Sequence, residues 1–173
     1  MNIIFDIDGT LMDIEHRRHF VSGSKKDWKS FVDNIKYDVP NEPIRDLLLQ
    51  FNFNSDNNIF FLSGRNEAQR DITEQQIKDC GFNVLYQDEV KPYKDDIYHI
   101  YDHWREILLM RPDDDYRPDV ELKSDLYDKL LEIHGDIFKP TYQSTIIFDD
   151  RQSVVDMWRS KGLTCCQVAK GDL

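Results

Sequence analysis

Ile3-Ile4-Phe5-Asp6-Ile7-Asp8-Gly9-Thr10-Leu11 is the stretch from which the fold is read. It opens with an apolar run of the length of one buried strand. The run stops at two carboxylates one residue apart, and a glycine and a hydroxyl residue follow at once. Such a stretch delivers Asp-x-Asp to the mouth of a sheet, and in open α/β sheets ligands bind beyond the carboxyl ends of the strands. Asp6 is therefore the candidate nucleophile and Asp8 the candidate acid/base. The turn Asp8-Gly9-Thr10 is a candidate phosphate and metal site.

Two further apolar runs end in the same manner. Ile59-Phe60-Phe61-Leu62 leads into Ser63-Gly64-Arg65, and Thr145-Ile146-Ile147-Phe148 into Asp149-Asp150. Ile107 to Met110 reads as another strand, Leu163 to Val168 as the last, and Val84-Leu85-Tyr86 as a short one. Between them lie helical patterns. Glu67 to Cys80 ends at Gly81, Val120 to His134 at Gly135 with Leu126, Leu130 and Ile133 inward, and Ser153 to Lys161 at Gly162. Asn41-Glu42-Pro43 starts a helix whose stripe is Ile44, Leu47, Leu48 and Phe51. Ile97, Ile100, Tyr101 and Trp104 also have helical spacing. Alternating strands and helices predict an α/β fold, a parallel sheet layered by helices. All three motif-bearing strand ends then share one edge.

Residues 12 to 40 read as a small lid inserted after the first strand. They carry His16, Arg17, Arg18 and His19, which are either substrate contacts or a solvated loop. A helix over Lys25 to Lys36 has Trp28, Phe31, Val32 and Ile35 on one face, expected to be core or lid packing, with a base-stacking aromatic as an alternative that nothing in the sequence marks. Asp113-Asp114-Asp115 reads as an acidic surface turn. Residues 1 to 173 form a single domain in this reading, with an extra segment over about 83 to 106.

The converging groups suit phosphoryl transfer, which needs an in-line nucleophile, charge neutralisation and a proton for the leaving oxygen. Asp6 can form an aspartyl-phosphate. A metal has to bridge the Asp6 carboxylate and the phosphate, and Mg²⁺ prefers oxygen ligands. Asp6 with Asp149 or Asp150 supplies them, and Asp8 can add its backbone carbonyl. Asp8 can protonate the leaving group and then activate water. Thr10, Ser63 and Gly64 are placed to hold phosphate oxygens. Lys123 stands near a helix start, where the helix dipole disfavours a cation. Balancing the charge of Asp6 and the phosphate explains it.

Asp6-Ile7-Asp8-Gly9-Thr10-Leu11, Ser63-Gly64-Arg65, Lys123 and Asp149-Asp150 match in order the four motifs of the haloacid dehalogenase (HAD) superfamily, and the chain resembles its phosphohydrolases. That implies a three-layer, Rossmann-like sheet with a small cap after the first strand. A narrower resemblance rests on Arg111, Asp115, Arg117, Asp119 and Lys123, on Phe148-Asp149-Asp150-Arg151 and Val155-Asp156-Met157-Trp158-Arg159, and on the ending Cys166 to Asp172. These are similar to the 3′-phosphatase domain of phage-type polynucleotide kinase/phosphatase. The resemblance implies a Mg²⁺-dependent phosphatase acting on phosphorylated nucleic-acid ends or nucleotides, in a host cytoplasm if of phage origin. It implies substrate-binding roles for Arg65 and Arg111, and a supporting role for Asp119. No G-x-x-x-x-G-K-[ST] occurs, so the sequence carries no kinase half. The alternatives are a small-molecule phosphatase such as a 5′-nucleotidase, and a non-catalytic phosphate-binding module.

Lys plus Arg number 22 against 33 Asp plus Glu, a formal net charge of −11. This opposes non-specific attraction to a polyanion and favours a free nucleotide over a polymer. Cys80, Cys165 and Cys166 show no metal-binding spacing and are expected to be reduced thiols. No run is long enough to span a membrane and no basic leader precedes the first strand. A soluble, cytoplasmic protein with no evident protein partner is expected.

Overall fold

The computed structural model describes residues 1–82, 103–135 and 144–171. Its centre is strand β1 (Asn2–Phe5), all four residues of which are buried. Strands β4 (Asn58–Asn66) and β6 (Thr145–Asp149) pair with it in parallel, and β5 (Leu108–Arg111) and β7 (Thr164–Gln167) lie outside them. The order is β5-β4-β1-β6-β7, parallel throughout. Ile, Phe and Leu dominate the inner strands because a parallel sheet is covered on both faces. Phe5 is in register with both Phe61 and Phe148, so three strands reach the same level before their motifs begin. The chain builds outward from β1 through β4 to β5 and then returns to the other side with β6. The gap between β1 and β6 is the reversal point at which such sheets bind ligands.

Helices α3 (Glu42–Asn52), α4 (Arg70–Asp79), α5 (His103–Ile107), α6 (Asp119–His134) and α7 (Gln152–Ser160) flank the sheet. Pro43 lies in the first turn of α3, where it costs no hydrogen bond. Asn66 and Gln69 form a reciprocal cap on the short 3₁₀ turn Glu67–Gln69 that leads into α4. Helix α7 buries Val154, Val155 and Trp158, and the chain leaves it through Gly162 at φ +79°. The fold is the α/β fold expected from the sequence.

Residues 12 to 40 form a separate small unit. Strands β2 (Met12–Asp13) and β3 (Val39–Pro40) pair antiparallel at its base. Between them come α1 (Glu15–Arg18), α2 (Trp28–Asp33) and a 3₁₀ turn over Ile35–Tyr37. Ile14, Val21 and Phe31, with Phe20 against them, make a second apolar cluster distinct from the main core.

Several expected boundaries and faces need correction. Strand β4 does not stop at Leu62 but continues through Ser63-Gly64-Arg65, with a register shift against β5 between Ser63 and Asn66. The motif is thus part of the strand, bent by an irregularity. The expected helix over Lys25 to Lys36 is two pieces, because Asp27 takes the Ser30 N–H and starts α2 there, and α2 ends at Asp33. Of its stripe, Phe31 and Ile35 are buried while Trp28 and Val32 are exposed, since so thin a unit has an inner face only. Ile133, near the end of α6, is likewise exposed, and Ile107 belongs to α5 rather than to β5. The region Glu67 to Cys80 is the 3₁₀ turn followed by α4. The expected strand at Val84-Leu85-Tyr86, Ile97, Ile100 and Tyr101 of the helical stripe, and most of the extra segment lie outside the described residues. Among the described residues no helix is long and apolar enough to cross a membrane.

Candidate active site at the strand ends

Asp6 follows β1, Asp149 ends β6 and Asp150 comes next, so the parallel register brings three carboxylates together. All three are buried, and one oxygen from each lies within 4.8 Å of the others. Helix α6 brings Lys123 among them. Its Nζ donates to Asp6 Oδ1 at 2.7 Å and to Asp149 Oδ2 at 2.7 Å. Asp149 is held further by the backbone N–H of Arg151 on Oδ1 and by the Trp158 indole N–H on Oδ2 at 3.4 Å. Lys123 is 3% exposed, and this burial accounts for a lysine near a helix start.

The charges do not balance. Burial pushes the Asp6 carboxyl well above its usual range; Lys123 offsets part of that, and Asp149 and Asp150 add to it. Burial likewise raises Asp150. For Lys123 burial works against the charge, but Asp149, Asp6 and Asp119 outweigh it and keep the ammonium firmly protonated. Three buried carboxylates around one ammonium form an oxygen-only donor set with surplus negative charge, which fits a hard divalent cation. Gly9 is required beside this cluster. It has φ +84°, and a Cβ there would collide with the Asp150 carboxylate. On the other side, Gly171 N–H and the Gln167 side chain both donate to the Asp150 carbonyl.

The Asp8 side chain lies in a second network rather than in the carboxylate cluster. Asp8 Oδ1 accepts from Arg17 Nη2 at 2.7 Å and from Arg65 Nε at 2.8 Å. Both guanidinium groups also hold Asp38. Arg17 donates to it through Nε and Nη2, each at 2.7 Å, and Arg65 through Nη2 at 2.8 Å. His16 Nε2 lies 2.9 Å from Asp38 as well. Thr73 and Gln76 of α4 accept from Arg65 Nη1, and the Arg17 guanidinium lies 4.1 Å from the centre of the Phe31 ring. Burial opposes ionisation of Asp8, but Arg65 and Arg17 together outweigh it and hold the carboxyl below its usual range.

Of the expected phosphate-binding groups, Thr10 is fully buried, and its Oγ1 has no hydrogen-bond partner among the described residues. Ser63 is buried beside β1, and its hydroxyl accepts the Arg65 N–H. Gly64 lies under Asp119, whose carboxylate would be 3.2 Å from an added Cβ. Arg111 is spent on its own surroundings: it donates to the carbonyls of Gly64, Asp115 and Arg117 and to the Asp119 carboxylate. Asp119 also accepts from Arg151 at 2.7 Å. Arg111 and Asp119 thus pin the Ser63-Gly64 bend to the start of α6. Of the four residues 16 to 19, His16 and Arg17 join the Asp38 network. Arg18 reaches toward Asp150, Nη2 to Oδ2 3.8 Å, and His19 stacks at an angle on Phe20.

Sequence reasoning passed over Asp38, and over Thr73 and Gln76. The signals were slight: a carboxylate between an apolar stripe and Val39-Pro40, and two polar residues three apart on one face of α4.

The geometry gathers three buried carboxylates and a lysine at the strand ends of a parallel α/β sheet. The family profile described as "Polynucleotide kinase PNKP phosphatase domain" matches residues 1–173, and the chain belongs to that family of HAD phosphatases. Two solved structures are similar. A chain of the "Pnkp1/Rnl/Hen1 complex" is 27% identical with a TM-score of 0.67, over 99% of this chain and 47% of that one. A chain of the "Pnkp1/Rnl/Hen1 RNA repair complex" is 28% identical with a TM-score of 0.62, over 99% and 43%. The chain thus spans just under half the length of the chains it resembles. No curated protein is similar enough to count as a match.

Proposed function

We propose that this phosphatase removes the 3′-phosphate from nucleic-acid ends, with Mg²⁺ as its metal and Asp6 as its nucleophile. The observation that carries the reading is the meeting of Asp6, Lys123, Asp149 and Asp150 at the β1/β6 reversal, in a chain of the polynucleotide-phosphatase family.

Lys123 occupies Asp6 Oδ1 and leaves Oδ2 to attack phosphorus. The P–O bond to the sugar breaks and the sugar oxygen takes a proton from Asp8. In the second half Asp8 accepts a proton from water, the hydroxide attacks phosphorus, and the bond to Asp6 breaks. Asp8 keeps 24% of its side chain exposed, so water can reach it. Its ionised resting state suits the second half. For the first half, a phosphate dianion bound beside it counters Arg17 and Arg65 and favours the protonated acid. Thr10 Oγ1 and the Ser63 hydroxyl offer hydrogen bonds to phosphate oxygens. Asp6, Asp149 and Asp150 would hold the metal, with the Asp8 carbonyl as a further ligand. When bound, it neutralises charge between carboxylate and phosphate. Residues 12 to 40 act as the lid, joined to the site through Asp38.

Because the similar structures are multi-protein complexes, one of them an RNA repair complex, RNA ends belong in the substrate set and partner proteins belong in the picture. The net charge of −11 favours a second reading, a nucleotidase for free nucleotides. One assay separates them: phosphate release from a 3′-phosphorylated oligonucleotide, a 5′-phosphorylated one and free nucleotides, with Mg²⁺ and with chelator. Fast release from the 3′-end only, lost in chelator and in Asp6→Asn, is expected. Release indifferent to chelator, or kept by Asp6→Asn, sinks the mechanism. A preference for free nucleotides selects the nucleotidase. A folded protein inert toward every phosphoester is a phosphate-binding module.

A further inference from the structure

The outer face of the lid differs from the rest of this acidic chain. Its exposed charges are Lys25, Lys26, Lys29 and Lys36 against Asp13, Glu15, Asp27 and Asp33, an even balance in a chain of net charge −11. Two aromatic rings on this unit are exposed where packing would bury them, Trp28 at 53% and Tyr37 at 60%. Each has an ammonium group against its ring, Lys26 Nζ 5.3 Å from Trp28 and Lys36 Nζ 5.0 Å from Tyr37. Neither Lys26 nor Lys36 is in an ion pair among the described residues, whereas Lys29 is engaged by Asp33.

The surface is also close to the chemistry. Trp28 packs edge-on against Phe31 at 5.8 Å between ring centres, Phe31 carries the Arg17 guanidinium at 4.1 Å, and Arg17 donates to Asp8 at 2.7 Å. Trp28 is thus joined to Asp8 through two intervening side chains. Exposed rings interleaved with cations are what a single strand needs: bases stack on any aromatic face, and the lysines follow the phosphates.

We infer that the outer face of the lid, Trp28 and Tyr37 with Lys26 and Lys36, is a platform for the single strand upstream of the reacting end. It lets an acidic protein bind a polyanion locally, without a basic surface elsewhere. The inference rests on the nucleic-acid reading given above, and a strand with no phosphate to remove separates the two.

The test is fluorescence anisotropy of a labelled, unphosphorylated single-stranded octamer titrated with the full chain in Mg²⁺. Trp28→Ala is expected to weaken binding by roughly 5- to 100-fold and Tyr37→Ala by a similar or smaller factor. Lys26→Ala and Lys36→Ala should each flatten the dependence of log Kd on log salt by roughly 0.7. Phe53→Ala, at an 85% exposed ring outside the lid, serves as the control and should bind like the parent. If Trp28→Ala perturbs the lid, Tyr37→Ala and the salt slopes still decide. Binding that ignores both aromatic substitutions overturns the platform, even if 3′-phosphate release is fast. Dimerisation that depends on Trp28, with no strand binding, assigns the surface to a second chain and also overturns it. Trp28-dependent binding in a protein inert toward 3′-ends upholds the platform and discards the substrate reading.

Discussion

Two buried ion networks lie side by side in this molecule, and they are built on opposite principles. At the strand ends, Asp6, Asp149 and Asp150 cluster around the Lys123 ammonium, with the Arg18 guanidinium 3.8 Å from Asp150. Under the lid, Asp8 and Asp38 face the two guanidinium groups of Arg17 and Arg65. The second matches two carboxylates with two guanidinium groups, leaving only Arg17 Nη1 without a partner among the described residues; the first is short of positive charge. Removing one member of a balanced buried pair leaves an uncompensated ion, whereas removing a carboxylate from a crowded cluster relieves repulsion. The lesson is that a charge deficit, rather than burial of charge as such, marks the place prepared for a cation.

The largest test of this contrast is chemical. Asp6→Asn should lower kcat for phosphate release by at least about 10³-fold, since in the proposed mechanism it removes the nucleophile rather than a helper. Next comes stability. Asp38→Ala should cost about 3–5 kcal/mol in urea denaturation, because Arg17 and Arg65 stay buried with too few partners. A loss below about 1 kcal/mol would erase the distinction between the networks. By contrast, Asp150→Asn in chelator should leave the denaturation midpoint unchanged or raised.

Metal sharpens the same point on a smaller scale. A divalent cation at a hundredfold excess over its Kd should stabilise the parent by about 2.7 kcal/mol and Asp150→Asn far less. Equal stabilisation of both would place the cation elsewhere. The smallest effect concerns neither network. Burial pushes the Cys80 thiol up to about 11 and, with Asp149 adding to it, Cys165 up to about 12. Thiolate is the reactive form and forms only as pH approaches those values. At pH 8, a thiol reagent should therefore label half-buried Cys166 first, and the other two only in denaturant.

What could be read from the sequence was what is local in it. Strands β1 and β6 and their carboxylates stand next to one another in the chain, so an apolar run ending in Asp announced both the strand and the chemistry. Lys123 was legible because it contradicts the helix dipole. Asp38 was not, because its meaning comes from Arg17 and Arg65, 21 and 27 residues away. Arg111 was legible as an arginine near a strand end, but its engagement by three carbonyls depends on how the Gly64 bend and residues 115 to 117 approach it. Periodicity also misread Trp28 and Val32. It marks a helical face but does not say whether anything lies against it, and in a unit as thin as the lid one face meets solvent.

The pairing of β1 with β6 also sets a schedule. Asp6 is made early, and Lys123 follows 117 residues later, with Asp149 and Asp150 later still. Contacts of such long range close late, since the intervening chain must be ordered first. Asp6, the nucleophile of the proposed mechanism, is thus made long before the lysine and carboxylates that surround it. In the proposed mechanism the site is therefore incomplete until β6 pairs with β1, because Asp149 and Asp150 come only with that strand.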